Sequence, residues 1–161
     1  MPTNFDRAFD FLMKQEGGYS DLANDPGGRT NFGISQRAYP NEDILHLTKD
    51  RAKQIYKVDY WDKLHCDEIS YYPLAVCLFD YAVNSGVATA IKTLQHALCV
   101  PQDGTMGPIT FRALSTSDPK KVSNKIIDSR LELYIRLSSN PTKRIFLLGW
   151  LRRLFDVQRE V

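Results

Sequence analysis

The chain has 161 residues, 43% of them hydrophobic and 25% charged, with a net charge of +2. That length suits one domain with a sizeable core. No apolar run approaches the roughly 20 residues needed to cross a bilayer, the longest being Ile145 to Leu151. Three cysteines, Cys66, Cys77 and Cys99, do not read as a disulfide framework, and free buried thiols are expected. His96 and Cys99 share a helical face, but no paired Cys-x-x-Cys accompanies them, so neither a metal nor another cofactor is expected. The modest charge and the lack of a recognised binding motif make nucleic acid a poor partner.

The first predicted element is an amphipathic helix. Phe5, Ala8, Phe9, Leu12 and Met13 recur at i, i+3, i+4 and i+7 spacing, the mark of one face packed on a core. Thr3 or Asn4 can cap its start, and Asp6 lies in the first turn, where negative charge suits the macrodipole. Gly17 and Gly18 stop it, which leaves Glu16 at its end near the buried stripe. Partial burial and the negative end of the helix both disfavour the charged carboxylate there. A pKa raised in this way is what a general acid needs. The bland alternative is a solvated glutamate.

Asn24-Asp25-Pro26-Gly27-Gly28 is dense turn chemistry. Arg29 to Ser35 then reads as a short extended stretch broken by Gly33. Eight residues separate Glu16 from Asp25, and four separate Asp25 from Thr30. A carboxylate at a helix end thus faces a tight loop carrying a second carboxylate and a hydroxyl. Hydrolysis of a glycosidic bond asks for such a pair.

These residues carry a resemblance. Glu16-Gly17-Gly18-Tyr19 and Asn24-Asp25-Pro26-Gly27-Gly28-Arg29-Thr30-Asn31-Phe32-Gly33-Ile34 are similar to the E-G-G-Y motif and the N-D-P-G-G-x-T-N-x-G-I loop of glycoside hydrolase family 108, the muramidases. The spacing Glu16-x8-Asp25-x4-Thr30 also resembles the Glu/Asp/Thr triad of phage lysozymes, which usually carry five residues before the threonine. The likeness continues through Tyr60-Trp61-Asp62, the run from Phe79 to Gly86, Leu94-Gln95, Asp103-Gly104, Gly107 to Thr110 and Gly149-Trp150-Leu151.

The resemblance implies a mainly α, lysozyme-like, bilobal fold with a small β-hairpin region after the first helix. It implies a single domain with a catalytic half, 1–86, and a helical, peptidoglycan-binding-like half, 87–161. Glu16, Asp25 and Thr30 become candidate catalytic residues, and Tyr19, Asn31, Tyr81 and Asn84 candidate substrate contacts. The implied activity is a monomeric muramidase acting on peptidoglycan glycan strands, of the phage or prophage endolysin type. A lytic transglycosylase and a non-catalytic wall-binding or secretion-associated protein are the other readings. The N-terminus shows no signal-peptide pattern, so synthesis in the cytoplasm and release to the wall by another agent are expected.

Farther along, Asn41 to Tyr56 reads as helical, with Thr48 a plausible cap for a second short helix. Tyr56, Tyr60 and Trp61 either fill a core or form a sugar-stacking wall. Tyr72 to Gly86 is a helix opened by Pro73, with Asp80, Tyr81 and Asn84 partly off its apolar face. These three read as a buried polar network or, by the resemblance, as cleft residues. Val87 to Leu98 and a segment opening at Gly107-Pro108 are further helices. Lys120 to Leu137 follows, with Val122, Ile126, Ile127, Leu131, Tyr134 and Ile135 as its apolar face. Thr142 can cap a last helix, Lys143 to about Arg159.

Charge is uneven. Residues 1–60 hold eight basic and nine acidic groups, 61–119 three and six, and 120–161 ten and four. The basic tail is either a solvated outer face or a surface that contacts anionic membrane or wall polymers.

Overall fold

The computed structural model describes residues 1–15 and 29–161. Elements α1 (Asn4–Gln15), β1 (Thr30–Asn31), β2 (Ile34–Ser35) and α2 (Lys49–Tyr56) belong to one compact unit, Met1–Trp61. A second unit, Asp62–Val161, holds α3 (Tyr72–Ser85), α4 (Val87–Ala97), α5 (Pro108–Thr116), α6 (Pro119–Ser138), α7 (Pro141–Arg144) and α8 (Leu147–Glu160). The protein is mainly α, with one small hairpin among the described residues.

In the first unit, α1 starts with a reciprocal cap. Thr3 Oγ1 accepts from the Asp6 amide at 3.1 Å, and Asp6 Oδ2 accepts from the Thr3 amide at 2.6 Å. Phe5, Ala8, Phe9, Phe11 and Leu12 are buried. Phe11 takes the place expected for Met13, which is half-buried. The strands pair antiparallel, Thr30 with Ser35 and Asn31 with Ile34. The two residues between them, Phe32 and Gly33, have φ of 50° and 77°, the double left-handed turn that fits a two-residue hairpin. Gly33 adopts it without strain. Phe32 pays a steric penalty there, and the Tyr56 hydroxyl holds it by donating to the Phe32 carbonyl at 2.9 Å.

The stretch 41–47 is turns rather than the expected helix. Two amide side chains claim the carbonyls that a helix would use. Gln36 Nε2 donates to the carbonyls of Tyr39, Pro40 and Glu42 at 3.2, 3.2 and 2.9 Å. Asn31 Nδ2 donates to those of Ile44 and Leu47 at 3.1 and 3.5 Å. Helix resumes only where Thr48 Oγ1 accepts from the Arg51 amide at 3.2 Å and caps α2. After Tyr56 the coil widens into a π-helical turn, Lys57–Trp61. Trp61 is fully buried, with its ring 5.5 Å from Phe5. Trp61 is therefore a core residue of this unit.

In the second unit, α3 opens with Pro73 and is buried along nearly its whole length. It packs on α4, α6 and α8. The cap of α6 is Asp118, whose carboxylate accepts from the amides of Lys120 and Lys121 at 3.0 and 3.3 Å. Its buried face is Val122, Ser123, Ile126, Ile127, Arg130 and Tyr134, whereas Leu131 and Ile135 are exposed. The stripe thus runs through Arg130 and not through the two aliphatic neighbours. Asn140, not Thr142, caps the final segment, accepting from the Thr142 amide at 3.0 Å. That segment is two helices, α7 and α8, separated at Ile145 and Phe146. Cys66 and Cys77 are buried as expected, but Cys99 is exposed.

Candidate functional site

Three of the seven residues singled out in the sequence, Glu16, Tyr19 and Asp25, lie outside the described residues. The other four fall into two places. Thr30 and Asn31 form β1, beside the hairpin turn. Thr30 is half-buried. Asn31 is 9% exposed, and its amide hydrogens go to the Ile44 and Leu47 carbonyls. Its side chain therefore fastens the hairpin to the 44–47 segment, which fixes the backbone that carries Thr30.

Tyr81 and Asn84 sit on α3 in the second unit, around a charged cluster that composition alone does not reveal. Asp80, fully buried, accepts from Arg130 Nη2 at 2.8 Å and from Arg153 Nε at 2.9 Å. One carboxylate on α3 thereby ties α6 and α8 to it. Arg130 Nη2 also donates to the Tyr134 hydroxyl at 3.0 Å, which in turn donates to Asn84 Oδ1 at 3.1 Å. The guanidinium lies over the Tyr81 ring, 4.8 Å from its centroid. Burial opposes its charge, but Asp80 prevails and holds its pKa above the usual arginine value. Beside it, burial pushes the Cys77 thiol up to about 12. Asp80, Arg130 and Tyr134 thus make a buried polar network inside the unit, with the Tyr81 ring against the guanidinium and the exposed Asn84 at its edge. Arg130 Nε and Nη1 are buried without a hydrogen-bond partner, so the cation is held by charge and ring faces more than by directed bonds.

Arg130 is the residue that sequence reasoning missed. The signal was present, since 122, 126, 130 and 134 share an i, i+4 register. A cation inside an apolar stripe implies a buried partner, and Asp80 is the acid within the apolar helix before it.

Gln95, also buried, organises the loop after α4. Its Nε2 donates to Asp103 Oδ1 at 2.7 Å, the Thr105 carbonyl at 3.0 Å and Thr110 Oγ1 at 3.1 Å, while its Oε1 accepts from the Gly104 amide at 2.9 Å. The bond from Gln95 holds the Asp103 carboxyl below its ordinary range. Next to this loop, α3, α4 and α6 enclose a hollow of about 490 Å³, bordered by Tyr81, Lys92, His96, Glu132 and Arg136.

Comparison with known proteins accounts for both parts of the sequence. A family model described as Glycosyl hydrolase 108 matches residues 9–86, and one described as Predicted Peptidoglycan domain matches residues 89–155. A solved structure, "Structure of Brucella abortus SagA", is 32% identical with a TM-score of 0.84, over 97% of this chain and 92% of that one. A search of the curated proteins finds no match. The mainly α fold is thus lysozyme-like, and the first match spans Glu16, Tyr19, Asp25, Thr30, Asn31, Tyr81 and Asn84. The chain belongs to glycosyl hydrolase family 108 and is a peptidoglycan hydrolase.

Proposed function

We propose that the chain is an N-acetylmuramidase that cleaves the β-1,4 bond between N-acetylmuramic acid and N-acetylglucosamine. The observation that carries this reading is the family match over residues 9–86, a span that contains Glu16-Gly17-Gly18-Tyr19 and the loop Asn24 to Ile34 intact. Glu16 protonates the glycosidic oxygen, and Asp25 orients or deprotonates the attacking water. Thr30 positions that water from a strand that Asn31 anchors. Tyr19 and Asn31 complete the proposed contacts with substrate, and Asn84, exposed on α3, is a further candidate contact, whereas Tyr81, buried under Arg130, serves the fold. The chain acts as a monomer, one lysozyme-like domain with a catalytic half, 1–86, and a wall-binding half, 87–161. A phage or prophage endolysin fits this description, released to the wall by a separate agent. Ile145, Phe146 and Leu148 are exposed beside Lys143, Arg144 and Arg152, a composition that suits contact with anionic membrane or wall polymers.

The test is a fragment analysis of digested peptidoglycan with wild type and Glu16→Gln. Wild type is expected to release fragments with reducing muramic acid ends. Release by the variant falls by about a hundred- to ten-thousandfold, with an unchanged unfolding midpoint. Fragments with 1,6-anhydro ends assign a transglycosylase instead, and substantial activity in the variant removes Glu16 from its role.

A further inference from the structure

The hollow between α3, α4 and α6 is furnished with charge in an unusual proportion. Lys92 and His96 stand four residues apart on α4, and Glu132 and Arg136 four apart on α6, so each helix turns a pair toward the same space. Lys92, Glu132 and Arg136 take part in no ion pair among the described residues. Two cations and one anion are thus held around one concavity without neutralising one another. The tyrosine lining it, Tyr81, is 2% exposed, and its ring is covered by Arg130. It offers no open face on which a sugar ring could stack.

The loop beside the hollow is shaped around one of these cations. A Cβ built at Gly104 would lie 3.2 Å from Lys92 Cε. Gly104 also has φ of 78° and a backbone amide fixed by Gln95, so a glycine at 104 leaves the lane in which the Lys92 stem runs. Thr93, half-buried beside Lys92, donates its hydroxyl to the Thr89 carbonyl at 3.0 Å, so it offers an acceptor and not a donor.

We propose that this hollow seats the acidic stem peptide of peptidoglycan, with Lys92 and Arg136 taking its carboxylates and Glu132 its free amino group. The inference rests on the peptidoglycan reading and adds to it a recognition site for the peptide, separate from the glycan. The chemistry selects the peptide over the glycan. Bare sugar rings are neutral and are gripped chiefly by open aromatic faces, and the one tyrosine here is covered, while the charged side chains around the hollow have no counterpart on a bare sugar. A stem peptide carries several carboxylates and one amine, and two cations with one anion complement that pattern. A volume of about 490 Å³ falls in the range of small-ligand pockets.

The test titrates the full chain with the N-acetylated stem tripeptide N-acetyl-L-alanyl-γ-D-glutamyl-meso-diaminopimelate, which keeps the single free amine of the wall-linked peptide, and separately with unsubstituted N-acetylglucosamine oligomers. It also measures cosedimentation with peptidoglycan before and after an amidase strips the peptides. Wild type is expected to bind the tripeptide and to be retained less by stripped glycan. Lys92→Ala and Arg136→Ala each weaken tripeptide binding about tenfold, Lys92→Arg restores it, and Glu132→Gln weakens it less. The positions are exposed, so unfolding midpoints stay unchanged. The proposal is overturned if wild type ignores the tripeptide, if the alanine variants bind it as wild type does, or if stripping leaves retention unaltered. Because the titration needs no turnover, a chain that binds tripeptide but releases no fragments would refute the hydrolase reading alone.

Discussion

The two units differ in the main device by which they hold polar groups inside a small core. In Met1–Trp61, neutral amides do it: Asn31 and Gln36 supply hydrogen bonds to carbonyls of a stretch that has too little helix to satisfy its own backbone. In Asp62–Val161 Gln95 does the same for the loop after α4, but the helices satisfy their own backbones, and a buried charge cluster, Asp80 with Arg130 and Arg153, joins three of them. A neutral amide fixes irregular chain, because it can donate twice to carbonyls at modest desolvation penalty. A charge cluster fixes the mutual placement of regular elements, and makes each member depend on the others.

Breaking the cluster is therefore expected to have the largest effect. Asp80→Asn leaves Arg130 buried without its counter-charge and is expected to destabilise the protein by about 3–5 kcal/mol. Chemical denaturation measures it. Adding Arg130→Met to that variant recovers part of the loss, because the orphaned cation is gone. Simple addition of the two single effects would count against the coupling.

The first unit responds less. Asn31→Ala strips the Ile44 and Leu47 carbonyls of their donor and is expected to destabilise by about 1–3 kcal/mol. Faster amide exchange confined to residues 30–48 is the signature. Exchange that rises equally in α3 and α6 would refute a local role.

The smallest effect at neutral pH belongs to Cys77, whose thiol titrates near 12 in the fold against 9.0 outside it. The folded state keeps its proton longer than the unfolded one. The stability this contributes is complete below about pH 9 and declines as pH rises from there toward 12. Cys77→Ala is expected to flatten that alkaline decline while lowering stability at pH 7 through the cavity it leaves. An unchanged alkaline slope would assign the decline to other groups.

Legibility in the sequence followed the same division. Helices α3 to α6 were readable because Pro73, Gly107-Pro108 and apolar spacing declare them locally. Residues 41–47 were misread because the amides that unwind them lie at 31 and 36, and no local pattern announces a distant donor. Arg130 was passed over because propensity reasoning looks for apolar residues on a buried face, and Leu131 and Ile135 offered a ready substitute. For the candidate site, the motif from Glu16 to Thr30 was legible as a string of residue types. Its hairpin end read only as an extended stretch broken by Gly33, the hairpin itself being implied by the family resemblance, while the fastening of Asn31 to 44 and 47 depends on tertiary contacts that spacing does not encode.

The wide turn after α2 decides how much chain this bend can lose. In a regular helix, residues five apart point well away from each other, yet Tyr56 and Trp61 both face inward. The π-helical turn from Lys57 to Trp61 brings them back onto one side by accommodating a surplus residue per turn. Val58, 60% exposed, occupies the outer bend of that loosened coil. Removing one residue of this bend, such as Val58, would place the tryptophan at the ordinary four-residue interval from Tyr56, so a one-residue shortening here is expected to leave the ring and the interior in place.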